Sequence, residues 1–235
     1  MVHSIESLID DPELVERRRA QIVAAATTLF ASKGFYRTTI KEIAQKAGIS
    51  AGLVYQYVRE KEDVLYLVLL AVVDAYAREI PLAVEGIEDP LDRLTATISA
   101  YCRVIERHRA ATVLAYRSTR SLPPPTRAII QQRELETNRL IGTAIEACIK
   151  AGYLRKVDLD VATYQVVMAA HAWALKSWYF KTRMSLDRYI EANIDLMFSG
   201  LLTAAGQTRY QSSRAAPHPA PPAPRGRAKV RRPTA

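Results

Sequence analysis

The side chains best suited to chemistry fall in one run, Thr39 to Lys61, which reads TIKEIAQKAGISAGLVYQYVREK. Its second half opens on Ser50 and presents Ala51, Gly52, Gln56 and Tyr57, leaving Leu53, Val54 and Val58 to pack. Small residues at a helix start let the backbone come close to base edges, and amide and phenol tips supply hydrogen bonds there. Arg37, Thr38, Thr39, Lys46, Tyr55 and Lys61 add cations and hydroxyls around that surface, the groups that touch phosphate. Gln56 and the start of the second helix are expected on bases, Tyr57 and Lys61 on phosphate. This chemistry is recognition of double-stranded DNA, with no bond made or broken.

A second group is apolar and aromatic. Tyr164, Met168, His171, Leu175 and Trp178 alternate by four and three, one side of a helix, while Trp173 lies on another side. Tyr164, Met168, His171, Trp173 and Trp178, with Tyr101, Tyr116 and Arg120, are candidates to line a ligand pocket, and each taken singly reads better as core. Arg103, Arg117, Arg120 and Lys176 lie near these segments and can receive an anion. Catalysis finds little support. His3 and His218 are near the ends, His108 is flanked by arginines, and a lone His171 on an apolar face is more often core than ligand contact. There is no Glu-x-x-His pair, no glycine-rich phosphate loop and no nucleophile elbow. Cys102 and Cys148 lack metal spacing and read as buried thiols. Neither an enzyme, a metal nor a cofactor is expected.

The elements that must carry these residues are helices throughout. Thr39 is an N-cap, and Glu42 three residues on completes a capping box. Ile40, Ile43, Ala44 and Ala47 then give one apolar face, Gly48 supplies the turn, and Ser50 caps a second helix running through Val58. Two short helices around a glycine turn make a helix-turn-helix. Upstream, Asp11-Pro12 starts a helix that runs to Lys33 in one piece or two. Arg17, Arg18 and Arg19 on it either reach DNA or form a solvated face. Downstream, a long helix spans Glu62 to Ile80 and ends at Pro81. Asp89-Pro90 opens the next, a shorter one covers Ala110 to Ser118, and the prolines 123–125 break the chain. A long helix follows to Ala151 with Gly152 as its cap. Asp158 or Asp160 then starts a helix to Thr182, and Ser185 starts a last one to Gly206.

The run Ala25-Ala26, Leu29-Phe30, Gly34-Phe35, Thr38-Thr39-Ile40, Ile43-Ala44, Ala47-Gly48-Ile49-Ser50, Gly52, Tyr55, Tyr57, Lys61-Glu62 and Leu65 resembles the tetracycline-repressor (TetR) family over residues 17–65. The resemblance implies an all-α homodimer, with an N-terminal DNA-binding domain and a C-terminal helical bundle for ligand binding and dimerisation. In the family the last two helices pair with their copies. It also implies a repressor that holds a palindromic operator and releases it for a small hydrophobic effector. An acyl-CoA thioester from fatty-acid, sterol or aromatic-acid degradation is one candidate, and a neutral aromatic compound is another. The alternative is an architectural or constitutive DNA-binding regulator with no effector. Two positions depart from the family: Val58 stands for an aromatic residue and Glu60 for a capping Ser, Asp or Asn.

Charge follows the same division. The net charge is +9, but residues 1–16 carry five acids and no lysine or arginine. Residues 17–61 carry nine lysines and arginines against Glu42 and Glu60, which suits a phosphate partner. Residues 62–206 balance. From 207 the chain has seven basic residues, no acid and half of its 12 prolines. The expected division is therefore an acidic arm (1–16), the reader (17–63), a ligand-binding and dimerisation domain (64–206) and an extended basic tail (207–235). The longest apolar run, Val64 to Val73, is too short to span a bilayer, and the acidic N-terminus does not read as a signal peptide. A cytoplasmic protein with no membrane partner is expected.

Overall fold

The computed structural model describes residue 5 and residues 8–215, and among them every regular element is a helix. The order is α1 (Pro12–Lys33), α2 (Ile40–Ala47), α3 (Ala51–Val54), α4 (Lys61–Ala83), α5 (Pro90–Arg107) and α6 (Arg109–Ser118). A single 3₁₀ turn (Thr119–Ser121) precedes α7 (Pro124–Lys150). Then come α8 (Leu159–Leu175), α9 (Ser177–Phe180), α10 (Leu186–Leu201) and α11 (Ala204–Ala215). Local chemistry starts most of them. Asp11, Asp89, Asp158 and Ser185 each accept a backbone N–H in the first turn of the helix that follows. Proline stands in the first turn of α1, α5 and α7, where no N–H is needed.

Two layers result. α1, α2 and α3 enclose a small core of Ile22, Ala26, Phe30, Ile43 and Val54. α4, α5, α7 and α8 pack on one another as the body, with α10 against α5 and α8 and α11 against α5. α4 belongs to both layers, because α1 packs on it while its later turns enter the body. α6 does the same from the other side, touching α1, α4 and α8.

Helix α1 resolves an open alternative, and three helix ends differ from the sequence expectation. α1 is one continuous helix. Helix α4 carries Pro81 inside its last turn and ends at Ala83, not at Ile80. Helix α8 stops at Leu175 instead of reaching Thr182. Lys176 leaves helical geometry and the short α9 folds Phe180 back to within 6.3 Å of Trp173 and 4.7 Å of Tyr189, ring centre to ring centre. A straight helix would have carried Phe180 about 10 Å past Trp173. Helix α10 ends at Leu201, where the chain pairs briefly with 153–155: Arg155 N–H donates to Leu201 O at 2.9 Å and Thr203 N–H to Tyr153 O at 3.0 Å.

The chain then re-enters a helix. Gly206 passes so close to this strand-like contact that a Cβ would stand 2.1 Å from the Tyr153 carbonyl oxygen, which only glycine permits. Along α11, Arg209 reaches Asp89 at 2.9 Å and Asp92 at 2.5 Å, while Tyr210 and Arg214 both bond Asp195, at 2.8 and 2.6 Å. Residues 207–215 are thus helix clamped to α5 and α10, not extended tail. The expected tail beyond them lies outside the described residues.

Candidate DNA interface and effector site

The reader is built from short-range bonds. Thr39 N–H donates to Glu42 Oε2 at 2.9 Å and Glu42 N–H returns to Thr39 Oγ1 at 3.3 Å, the expected capping box. Lys33 from α1 also pairs with Glu42, and that hydrogen bond, followed by those from Thr39, holds the carboxyl down at about 2. Gly48 takes φ +70°, a left-handed conformation that glycine adopts without strain. Gln21 of α1 then donates to Ala47 O at 2.5 Å, pinning the turn. Ser50 Oγ accepts from Leu53 N–H at 3.1 Å and opens α3.

The second helix is shorter than expected. After Val54 the bonds tighten to Gln56 N–H→Leu53 O and Tyr57 N–H→Val54 O, so the chain turns and buries both Tyr57 and Val58. Tyr57 is only 2% exposed and is therefore a core residue, out of reach of phosphate. Thr38 is also corrected. It is fully buried, and its hydroxyl donates to Gly34 O at 2.8 Å. Arg37, Thr39, Lys46, Ser50, Gly52 and Tyr55 are exposed along one side, with Ala51, Gln56 and Lys61 half-buried among them. Lys61 Nζ donates to Thr38 O at 3.0 Å and Tyr36 O at 3.2 Å and lies 4.6 Å over the Phe35 ring. An ammonium has three N–H groups, so one remains for an anion.

Sequence reasoning missed how the reader is closed from behind. Arg19 neither faces DNA nor forms a solvated face. It donates to Tyr57 O at 3.0 Å and Ile5 O at 2.6 Å, while Leu8 N–H donates to Gln56 O at 2.9 Å. Ile5 and Leu8 thus lie against the end of the recognition segment, with Ile5 buried in the core. Asp63 replaces the cap missing at Glu60 by accepting from the N–H groups of Arg59 and Glu60, at 2.9 and 3.3 Å.

In the body the expected ligand residues separate. Tyr101 is buried, stacked on Tyr76 with ring centres 4.4 Å apart, and its hydroxyl lies 3.2 Å from His171 Nε2. His171 Nδ1 is 2.7 Å from the Tyr116 hydroxyl, which also lies 3.5 Å from Met168 Sδ. Burial lowers the His171 pKa to about 4, so the ring is neutral. Tyr101, Tyr116, Met168 and His171 are therefore one connected group, with Tyr164 exposed alongside on α8. Trp173 points elsewhere: its indole N–H donates to Glu106 Oε2 at 2.7 Å, and it packs with Tyr189 and Phe180. Trp178 is 72% exposed on α9, and Arg120 is exposed in the 3₁₀ turn, so the structure places neither in an enclosed pocket. Arg103 pairs with Asp187 at 2.7 Å instead of facing a cavity.

A cavity lies on the other face of α8. It measures about 390 Å³ and is bounded by Ile98 and Cys102 of α5, Val161, Gln165 and Val166 of α8, and Ile194 and Met197 of α10. None of these was foreseen as lining, because small and aliphatic residues carry no signal that separates cavity wall from core. Burial raises the Cys102 thiol to about 12, so it is an inert wall. Among the described residues no cluster of His, Cys, Asp or Glu could hold a metal, and no helix is long and apolar enough to cross a membrane.

Residues 22–66 match the family described as bacterial regulatory proteins, tetR family, and residues 88–201 match the tetracyclin repressor-like C-terminal domain. The HTH-type transcriptional regulator HbdR of Aromatoleum sp. (strain CIB) is 48% identical over 205 residues, covering 87% of this chain and 90% of that protein. The HTH-type transcriptional repressor KstR2 of Mycobacterium tuberculosis (strain ATCC 25618 / H37Rv) is 28% identical over 166 residues, 70% of this chain and 82% of KstR2. The crystal structure of AibR in complex with isovaleryl coenzyme A and operator DNA has the same fold, with a TM-score of 0.68 at 20% identity. That match covers 77% of this chain and 98% of AibR.

Proposed function

The chain belongs to the tetR family of bacterial transcriptional regulators, and from that premise we propose that it is a repressor released from its operator by an acyl-CoA thioester. It acts as a homodimer on a palindromic site, through Arg37, Thr39, Lys46, Ser50 to Gly52, Tyr55, Gln56 and Lys61. The observation that carries the reading is the double tie between reader and body. The first turn of α4 holds the reader through Lys61 and Asp63, and the same helix stacks Tyr76 on Tyr101 inside the body. On the other side α6 carries Tyr116, and the 3₁₀ turn after it donates from Ser121 Oγ to the Tyr36 hydroxyl at 2.8 Å. A ligand that moves α4 against α6 therefore moves the reader. KstR2 is a repressor and AibR binds an acyl-CoA and DNA, which supports the choice of effector.

Dimerisation through α8 and α10 is supported by their exposed apolar side chains, Val161 at 60% and Leu196 at 75% among them. Two reading segments about 34 Å apart would then meet successive major grooves. Sedimentation of the full chain with and without an operator duplex, followed by titration with acyl-CoA thioesters, tests this. A dimer that leaves the duplex when a thioester is added is expected. A monomer, or a dimer that no thioester displaces, would refute the corresponding part.

A further inference from the structure

We propose that the inner end of the effector site is formed by Tyr76 and Asn138 beside Tyr101, and that it receives a neutral carbonyl oxygen, as in an acyl thioester, in preference to a carboxylate. The inference rests on the reading of the chain as an effector-responsive repressor. It begins from two polar atoms deep in the body, the Tyr76 hydroxyl on α4 and the Asn138 amide nitrogen on α7. Neither has a hydrogen-bond partner among the described residues. Their residues are 4% and 3% exposed, so water at the surface does not serve them. The Tyr76 hydroxyl comes near those of Tyr101 and Thr112 without making a full hydrogen bond to either. Buried polar groups are nearly always paired, and an unpaired one is a reason to look for what completes it.

The direction of the neighbouring hydrogen bonds says what is missing. Asn138 Oδ1, 3.5 Å from the Tyr101 hydroxyl, can only accept, so Tyr101 donates to it. The Tyr101 oxygen must then accept from His171 Nε2–H. A neutral imidazole has one donor and one acceptor, so Nδ1 accepts from Tyr116 O–H. The row thus runs inward from Tyr116, 49% exposed at the surface, and ends on the Asn138 carbonyl with the amide N–H groups still to be used. Tyr76 lies parallel to Tyr101 at 4.4 Å and adds an O–H. The Tyr76 O–H and the Asn138 N–H groups are thus left unused, and a carbonyl oxygen with two lone pairs can accept from two of them.

Glu134 excludes the charged alternative. It stands one helical turn before Asn138, forms no ion pair among the described residues, and lies within electrostatic reach of Tyr76, Tyr101 and Tyr116. Burial raises its pKa, the direction expected where negative charge is poorly solvated. A ligand carboxylate would meet both that desolvation and Glu134, whereas a thioester carbonyl meets neither as a charge.

The test is calorimetry on the full chain with isovaleryl-, octanoyl- and benzoyl-CoA, the three free acids and CoA itself, repeated for Tyr76→Phe and Asn138→Leu. At least one thioester is expected to bind at least about tenfold more tightly than its acid, and Tyr76→Phe to weaken it about tenfold. The melting temperature of unliganded Tyr76→Phe should be no lower than that of the parent, because the substitution removes only an unpaired hydroxyl. That combination separates a binding role from a structural one. A thioester that binds and releases DNA equally well in both variants, or an acid that binds as tightly as its thioester, would overturn this inference alone. Operator binding with no thioester binding would overturn it together with the proposed effector, leaving the DNA-binding function standing.

Discussion

In the reader, the side-chain bonds that start each short helix join groups three residues apart; in the body, the bonds around His171 and Trp173 join groups more than 50 residues apart. Thr39 with Glu42 and Ser50 with Leu53 are local pairs, while Arg19 with Tyr57, Gln21 with Ala47 and Lys61 with Thr38 tie the reader's helices together across 38, 26 and 23 residues. In the body, Tyr101 meets His171 across 70 residues, Tyr116 meets His171 across 55, and Trp173 meets Glu106 across 67. Local bonds make a unit that keeps its shape when it moves. Bonds between distant helices can exchange partners when those helices shift, and the body also keeps unpaired donors in reserve. The reader is therefore suited to be carried, and the body to respond.

The largest effect that would break this contrast is expected at Tyr57. As a core residue, Tyr57→Ala should cost about 3–5 kcal/mol of stability in the reader, while Tyr57→Phe should leave operator affinity unchanged. Denaturation of both variants, with anisotropy on labelled operator, checks it. A folded Tyr57→Phe protein with much weaker DNA binding would return Tyr57 to the interface.

Next in size is the pH response of the body. The His171 pKa falls from 6.5 to about 4 on burial, so between those values the unfolded chain binds a proton that the fold refuses. Stability is therefore full above pH 6.5 and declines as pH falls toward 4, by up to about 3 kcal/mol. Urea unfolding across that range should show the slope, and His171→Gln should flatten it. An unchanged slope in the variant would mean that other groups carry the response.

The smallest effect sharpens the reader's side. Lys46 is exposed in the last turn of α2, so Lys46→Ala should weaken binding evenly across operator sequences and reduce the salt slope by roughly one. A change in which sequence is preferred would instead make Lys46 a base contact.

The same contrast explains what the sequence could disclose. The capping box at Thr39, the turn at Gly48, the cap at Ser50 and the Asp-Pro starts of α1 and α5 all act over a few residues, so spacing alone reveals them. Where α3 ends was not legible, because Tyr57 and Val58 are drawn into the core by α1 and α4, not by their neighbours. The break after Leu175 has the same cause: Phe180 returns to Trp173 and Tyr189 of two other elements. Of the ligand candidates, Met168 and His171 share one face of α8 by helical spacing, whereas Tyr101 and Tyr116 reach them from two other helices. Tyr76 and Asn138 carry no sequence signal, because only the packed interior shows that their polar atoms lack partners. The 390 Å³ cavity was invisible for the opposite reason, being lined by residues that look like any core.

The central claim is that effector and operator compete through α4 and α6 for two arrangements of one dimer. Linkage requires the two ligands to weaken each other by the same factor, and a coupling of about 1–3 kcal/mol corresponds to about 5–150-fold. Calorimetric affinity for the tightest-binding thioester, measured with and without saturating operator, tests this directly. Affinity lower on DNA, by the same factor as the thioester lowers operator affinity, is the predicted result. Equal affinities in the two titrations would contradict it and show that the thioester binds without acting as the inducer.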